Sequence, residues 1–325
     1  MSAPHPRVLV LAGGLSHERD VSLRSGRRVA EALRATGCEV LVHDVDAHLI
    51  DRVRSEQPDV VWPLLHGASG EDGSVADVLE LLGVRFVGAG PRATRASWNK
   101  AVTKSIVAHA GVSTPDYVTL PQSLFSELGA ATVLDLVVES LGLPLVVKPA
   151  RGGSALGVTL VRSREDMARA MVTCFSYDEI ALIEQAVDGT EVAVSVLATP
   201  DGLTALPAVE IVTDGPYDFD ARYNPGRTEY FAPARLPDDV ARRVAETAVA
   251  AHEALALRHL SRSDLIVRPD GSVEFLEVNT SPGQTETSLF PQAVAAADRS
   301  LADVYRSIVD LAAATPRRRE AASLV

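Results

Sequence analysis

The stretch Leu143–Val158, LPLVVKPARGGSALGV, decides the reading of this chain. Leu143–Pro149 is an apolar β run ending in Lys148-Pro149. Arg151–Val158 is a glycine-rich loop, and Thr159–Arg162 continues as a second strand. A Walker A loop reads GxxxxGK[ST] and feeds a helix. Here the loop returns into a strand, so any phosphate it cradles would be held by a hairpin. Small residues at Gly152, Gly153, Ser154 and Gly157 let backbone N–H groups come close to phosphate oxygens, and Lys148 at the base supplies a point charge. Without other support, the same residues are also a hairpin with flexible glycines.

Downstream, Leu265–Val267 and Val273–Val278 form a hairpin around Pro269-Asp270-Gly271, a good type I turn. Residues two apart in a strand share a face, so Glu277 and Asn279 project together, and Asp264 reaches the same side from the paired strand. Two carboxylates and an amide oxygen make a hard, oxygen-only site suited to Mg²⁺. Arg262 shares the face of Asp264, where a guanidinium would serve phosphoryl transfer. The competing reading is the solvent face of an edge hairpin. The acid pair Glu184 and Glu191 could take ribose hydroxyls and an adenine edge, or simply be surface.

Upstream, Arg7–Ala12 is a continuous apolar run ending in Gly13-Gly14, read as a buried parallel strand rather than a signal peptide. Val21–Thr36 is an amphipathic helix stopped by Gly37. Cys38–His43, Val60–Leu65 and Arg85–Val87 read as strands, and Ser74–Leu82 as a helix. This alternation gives an α/β domain with a parallel sheet, whose ligand loops follow strand C-termini at residues 13–20 and 66–73. His17–Asp20 could hold a small zwitterion, or Asp20 or Ser22 could cap the helix. Helices are expected over residues 101–112, 238–257 and 301–313, with strands at Leu182–Gln185 and Glu191–Ala198. Residues 214–231 are aperiodic and read as a lid or binding loop.

The 325 residues suggest two domains, or three small ones. With 46% hydrophobic and 23% charged residues, disorder is excluded. No apolar run approaches the ~20 residues that span a bilayer. A net charge of −12 argues against nucleic-acid binding. Cys38 and Cys174 lack metal-ligand spacing and fit reduced thiols in a cytosol. Of 31 basic residues only Lys100, Lys104 and Lys148 are lysine. A lysine kept in an arginine-rich chain marks a place for a compact ammonium, and Lys100 and Lys148 are the candidates.

Together, LAGGLSHERDVSLRSG, LLHGASGEDGS, ASWNKAVTK, LPLVVKPARGGSALGV, ARYNPGRTEYFAP, RSDL and FLEVNTSPGQTETSLFP resemble the D-alanine–D-alanine ligase family of the ATP-grasp fold, over nearly the whole chain. The resemblance implies an α/β N-terminal (pre-ATP-grasp) domain at residues 1–99 and an ATP-binding part of α+β character, with subdomains at 100–186 and 187–314 and a flexible tail at 315–325. It implies ATP and two Mg²⁺, which Mn²⁺ could replace, D-alanine as substrate, a homodimer in the cytoplasm, and no nucleic-acid or membrane partner. By resemblance, Glu18 would hold the ammonium of the first D-alanine and His66 would line that subsite. Lys100, Lys148 and Arg222 would face phosphates. Glu184 and Glu191 would contact adenine and ribose, with Leu276 under the base. Ser154 and Tyr223 would join Glu18 in a cluster closing the lid. Asp264, Glu277 and Asn279 would bind the metals. Arg262 and the Gly283 N–H would stabilise the tetrahedral intermediate, and Ser288 and Leu289 would hold the second carboxylate. The implied product is D-alanyl-D-alanine for peptidoglycan, formed through an acyl phosphate.

The chain departs from the family where Asn99 replaces Asp, Arg222 replaces Lys, Gly152 replaces a larger residue and Ala155 replaces Ser. Gln284, Glu286 and Thr287 stand where the family commonly has Met, Ser and His. A Glu286 carboxylate pointing inward would repel an acceptor carboxylate; pointing outward it would matter little. A paralogue with another acceptor, and a nucleotide-binding regulator without catalysis, are the alternative expectations.

Overall fold

The computed structural model describes residues 5–213 and 228–315. Three sheets carry the architecture. Strands β1 (Arg7–Leu11), β2 (Glu39–His43) and β3 (Val60–Pro63) form a parallel sheet in the order β2-β1-β3. Val8, Leu9, Val10 and Leu11 of β1 are all fully buried. Val8 and Val10 join one core, under the helix Arg19–Ala35, while Leu9 and Leu11 join another, under Leu49–Glu56 and Ser74–Leu81. Burial on both faces is why this strand is apolar without alternation. The expected strand at Arg85–Val87 is reduced to one parallel bridge, Val61 to Phe86.

Helix Arg19–Ala35 lies so close to the sheet that a Cβ on Gly26 would stand 2.4 Å from Ala12 Cβ, so only glycine fits. Neither Asp20 nor Ser22 caps it. Glu18 is at the cap position, and no side chain bonds there. Ser22 is buried instead, its hydroxyl accepting from Gly13 N at 2.8 Å and donating to Leu64 O at 2.6 Å. It thereby ties the start of the 13–20 loop to the chain just before the 66–73 loop.

Strands β4 (Tyr117–Pro121), β5 (Leu145–Pro149), β6 (Thr159–Val161) and β7 (Ile180–Gln185) make an antiparallel sheet ordered β4-β7-β5-β6. Alternation decides what each face does. Leu145, Val147, Ala181 and Ile183 pack under the helices Ala130–Leu141 and Met167–Phe175. Val146, Lys148, Leu182 and Glu184 therefore take the opposite face.

Strands β8 (Thr190–Thr199), β9 (Gly202–Ala205), β10 (Val209–Thr213), β11 (Thr228–Phe231), β12 (Leu260–Val267) and β13 (Val273–Asn279) form the third sheet, antiparallel throughout. The last four residues of the expected lid are thus strand β11; 214–227, with Arg222 and Tyr223, lie outside the described residues, as do residues 316–325. One face of this sheet packs on the helix Asp238–Ala254 and on Val107 of the helix Lys100–His109. The helix that opens the expected central subdomain at residue 100 therefore shares the core of the third sheet. The other face shares a core with β1 and β3 through the helices Leu289–Ala296 and Leu301–Ala314.

Candidate active site

Two cavities meet where the three sheets converge. The smaller, about 110 Å³, is lined by Glu18, His66, Glu71, Ser154, Arg262, Asn279, Gly283 and Ser288, among others. The larger, about 350 Å³, runs between the second and third sheets and is lined by Lys148, Glu184, Glu191, Asp264, Ile266 and Leu276, with apolar Val146 and Leu160. Lys100, Gly152, Gly153 and Glu277 line both.

The β12–β13 hairpin places the acid group. Asp264 pairs directly with Glu277, and Arg262 with Asn279, so all four share one face. The ladder then slips. Leu265 pairs with Phe275, and Leu276 is left as the extra residue of a β-bulge. A regular strand would turn Leu276 away from Glu277; the bulge lets both adjoin the larger cavity. Arg262 donates from Nε to Asp264 Oδ1 at 2.7 Å and from Nη2 to Oδ2 at 2.9 Å. Asn279 Oδ1 accepts from Ser281 N at 2.8 Å, which fixes its rotamer.

All three lysines are buried here, at 8%, 0% and 6% exposure for Lys100, Lys104 and Lys148. Lys100 Nζ donates to Gly152 O at 2.5 Å and lies 3.5 Å from Glu277 Oε2. It ties the glycine loop to the acid group. Glu184 is held from both sides, by Lys148 at 2.5 Å and Lys104 at 2.8 Å. Burial would raise its carboxyl pKa, but the two ammoniums outweigh burial and hold it below the usual range. Its carboxylate is therefore a bracket between lysines.

In the smaller cavity the Ser154 hydroxyl donates to Glu18 Oε1, joining the glycine loop to the end of the first helix. His66 follows β3 and is 4% exposed; its Nδ1 lies 3.7 Å from Glu71 Oε1. Burial, with a contribution from Glu18, pushes the Glu71 carboxyl up. A Cβ on Gly283 would stand 2.8 Å from Ser288 Oγ, so a larger residue here would have to displace that hydroxyl. Ser288 Oγ accepts from Thr285 N at 3.0 Å. Ser288 also precedes the helix Leu289–Ala296, whose free N–H groups suit a carboxylate.

A family model, D-ala D-ala ligase C-terminus, matches residues 106–310. The chain belongs to the D-alanine–D-alanine ligase family. The ligase is 37% identical over 307 residues to the D-alanine–D-alanine ligase of Pelotomaculum thermopropionicum, covering 94% of this chain and 96% of that one. It is 42% identical over 308 residues to that of Anaeromyxobacter dehalogenans, strain 2CP-C, covering 94% and 97%. Its structure is similar to the D-Ala:D-Ser ligase VanG of Enterococcus faecalis, with a TM-score of 0.82, 26% identity, and 95% and 99% coverage. The D-alanine–D-alanine ligase of Bacillus anthracis gives a TM-score of 0.80, 28% identity, and 94% and 97% coverage. The fold of the ligase is ATP-grasp, as the resemblance implied.

The departures at residues 284–287 now have places. Gln284 is fully buried and does not line the smaller cavity. Its Oε1 accepts from Tyr305 Oη at 2.7 Å, its Nε2 donates to Pro282 O at 2.7 Å, and its backbone N donates to Ser25 Oγ at 3.1 Å. Glu286 is exposed and outside the cavity lining, whereas Thr287 lines it. Sequence reasoning gave no role to Glu71, Trp98 or Thr285, which also line the smaller cavity. Glu71 stood within a quoted motif, but nothing local showed that it turns inward. Lys104 shares the scarcity of lysine with Lys100 and Lys148, but its place in the helix gives no local sign of the side chains it meets.

Proposed function

We propose that this ligase joins two D-alanines to give D-alanyl-D-alanine for peptidoglycan synthesis, using ATP to activate the first carboxylate as an acyl phosphate. The observation that carries the reading is the shared wall of Lys100, Gly152, Gly153 and Glu277. A nucleotide in the larger cavity would present its γ-phosphate at that wall, and an amino acid in the smaller one would present its carboxylate to the other side.

The residues then have these tasks. Val146, Leu160 and Leu276 give the apolar surfaces an adenine needs, and Glu191 stands at the edge for the ribose. Lys148 and Lys100 face the phosphates, with Lys148 oriented by Glu184. Glu18 takes the ammonium of the first D-alanine, oriented by Ser154 and beside His66. The carboxylate attacks the γ-phosphorus and ADP departs. The amine of the second D-alanine, its own carboxylate at Ser288 and the N-terminus at Leu289, attacks the carbonyl and phosphate departs. Arg262 and the Gly283 N–H neutralise the oxyanion formed between these events. Tyr223 and Arg222 complete the proposal from outside the described residues.

Asp264, Glu277 and Asn279 fit Mg²⁺ on the chemistry of their donors: oxygens only, on one face of the β12–β13 hairpin, around the wall shared by the two cavities. Mn²⁺ fits the same set. When bound, the ions would neutralise charge on the transferring phosphate.

Exposure of Glu286 and the inward bonding of Gln284 take two of the three departures away from the smaller cavity, which supports D-alanine in both subsites, while Thr287 stays in its lining. The proposal extends to a homodimer in the cytoplasm, carried by resemblance. No helix among the described residues is long and apolar enough to cross a membrane, and light scattering of the full chain checks the assembly. The direct test is ATP-dependent phosphate release with D-alanine alone, then with a panel of D- and L-amino acids and D-lactate, products being identified by mass. D-alanyl-D-alanine as the main product supports the reading. A mixed product dominating would overturn it.

A further inference from the structure

We propose that Lys104 is a positioning residue of the nucleotide cavity: it balances Glu184 so that Lys148 presents an uncancelled positive charge to the phosphates. The inference rests on the reading of the larger cavity as the ATP site. Without Lys104, the Glu184–Lys148 pair would be neutral, and the field of Lys148 at a phosphate would be cancelled at close range. With it, the triad carries a net single positive charge.

The geometry is built for this. Lys104 is one helical turn beyond Lys100 and is fully buried, so it cannot touch the nucleotide itself. Its Nζ reaches Glu184 Oε2 at 2.8 Å and donates to Thr114 Oγ1 at 2.5 Å. Thr114 in turn donates to Phe275 O at 2.8 Å, on the strand that carries Leu276 and Glu277. The Tyr117 ring lies 5.4 Å from the ammonium. Glu184 Oε1 is left to Lys148 at 2.5 Å. One buried ammonium thus joins the second and third sheets beneath the cavity they enclose. Elsewhere the chain uses arginine for its cations, and the slot between Thr114 and Glu184 takes a compact ammonium.

This arrangement titrates in an accessible range. Burial pulls the Lys104 ammonium down to about 8, against the opposing pull of Glu184. The charged and titratable groups that face it are Glu184 on β7, Lys148 on β5, Glu274 on β13 and Tyr117 on β4. The helix Asp238–Ala254 brings Val244 and Ala248 to the same core. Burial raises the Tyr117 hydroxyl, which keeps it neutral through this window. As pH rises through about 8 the triad passes from net positive to neutral, and nucleotide binding weakens. Linkage of one proton limits the loss to about tenfold per pH unit.

The test is calorimetric binding of AMP-PNP with excess Mg²⁺ to wild type and Lys104→Met from pH 7 to 9, with steady-state kinetics at pH 7.5. The expected result for wild type is a Kd that rises about tenfold across the range. In Lys104→Met the Kd should be uniformly weak and flat with pH. Its KM for ATP should rise about tenfold while the KM for D-alanine stays within about twofold, a split that a merely structural lysine would not produce. The wild-type pH profile stands even if the variant fails to fold. Nucleotide binding that is flat with pH in wild type, or unchanged in Lys104→Met, would overturn the inference alone. Absence of nucleotide binding by wild type would overturn the ATP-site reading, and this inference with it.

Discussion

Arg262 grips Asp264 with both a side and an arm of its guanidinium, from two residues away on the same strand. The fork fixes the cation at the wall between the cavities and orients a carboxylate proposed to hold metal. Lysine keeps the charge but has no planar fork. Arg262→Lys should therefore lower kcat by about 10²–10³, the range for removing one preorganised donor to an oxyanion. Steady-state kinetics check this, with circular dichroism to confirm an unchanged fold. A kcat within threefold of wild type would remove Arg262 from the chemistry.

Glu71 combines a stability penalty with a useful charge. Burial, then Glu18, raises its carboxyl in the folded chain above the ordinary value of 4.5. The folded state thus holds that proton more tightly than the unfolded state. The stability this gives is present at low pH and is lost as pH rises past the ordinary carboxyl range. Glu71→Gln should raise Tm at pH 8 more than at pH 5. It should also raise the KM of the first D-alanine severalfold, because a second carboxylate lining the cavity proposed for its ammonium is gone. Differential scanning fluorimetry at the two pH values, with kinetics, tests both halves. A Tm gap that narrows with pH would contradict the assignment.

Glu286 is exposed and outside the cavity lining, so its charge is screened by water. Glu286→Gln should change the KM of the second D-alanine by less than about twofold. A tenfold improvement would mean that the carboxylate turns inward when substrate binds.

Tyr305 and Gln284 form a buried polar pair between an aromatic ring and the loop that carries Ser288. Tyr305→Phe keeps the edge-on packing against Trp62, with centroids 5.3 Å apart, but leaves Gln284 Oε1 without its donor. That should lower stability by about 1–3 kcal/mol. Adding Gln284→Met should restore part of it, because the stranded Oε1 is removed while Pro282 O loses the donor it had in Nε2. Denaturant titration of the single and double variants and of Gln284→Met alone decides this. Losses that simply add in the double variant would show that the Tyr305 hydroxyl and Gln284 are not coupled.

Much of the frame was legible because it rests on local patterns. The unbroken apolar run of β1 could only be a strand covered on both faces, and the Pro269-Asp270-Gly271 turn fixed a hairpin that brings Asp264 to Glu277. Other elements were not legible. Helix Ala130–Leu141 is rich in β-branched residues, so its apolar positions suit strand and helix alike, and only packing against Leu145 and Val147 settles it. The bulge at Leu276 leaves no mark in the sequence, because it is a property of the pairing. The Glu184 bracket joins residues 80 and 36 positions apart, a distance at which no spacing rule operates. Ser22, like Asp20, has the residue type and place of a cap, but two buried backbone groups take its hydroxyl instead.

The burial of all three lysines has a practical side. The side chains of this protein offer no primary amine on its outer surface. Acylating dyes, amine-directed cross-linkers and lysine-modifying enzymes would find no lysine on that surface. Acylation of a lysine would report on opening of the wall between the two cavities, and a nucleotide bound as proposed would protect against it. An ordinary labelling reagent thereby becomes a probe of cleft occupancy.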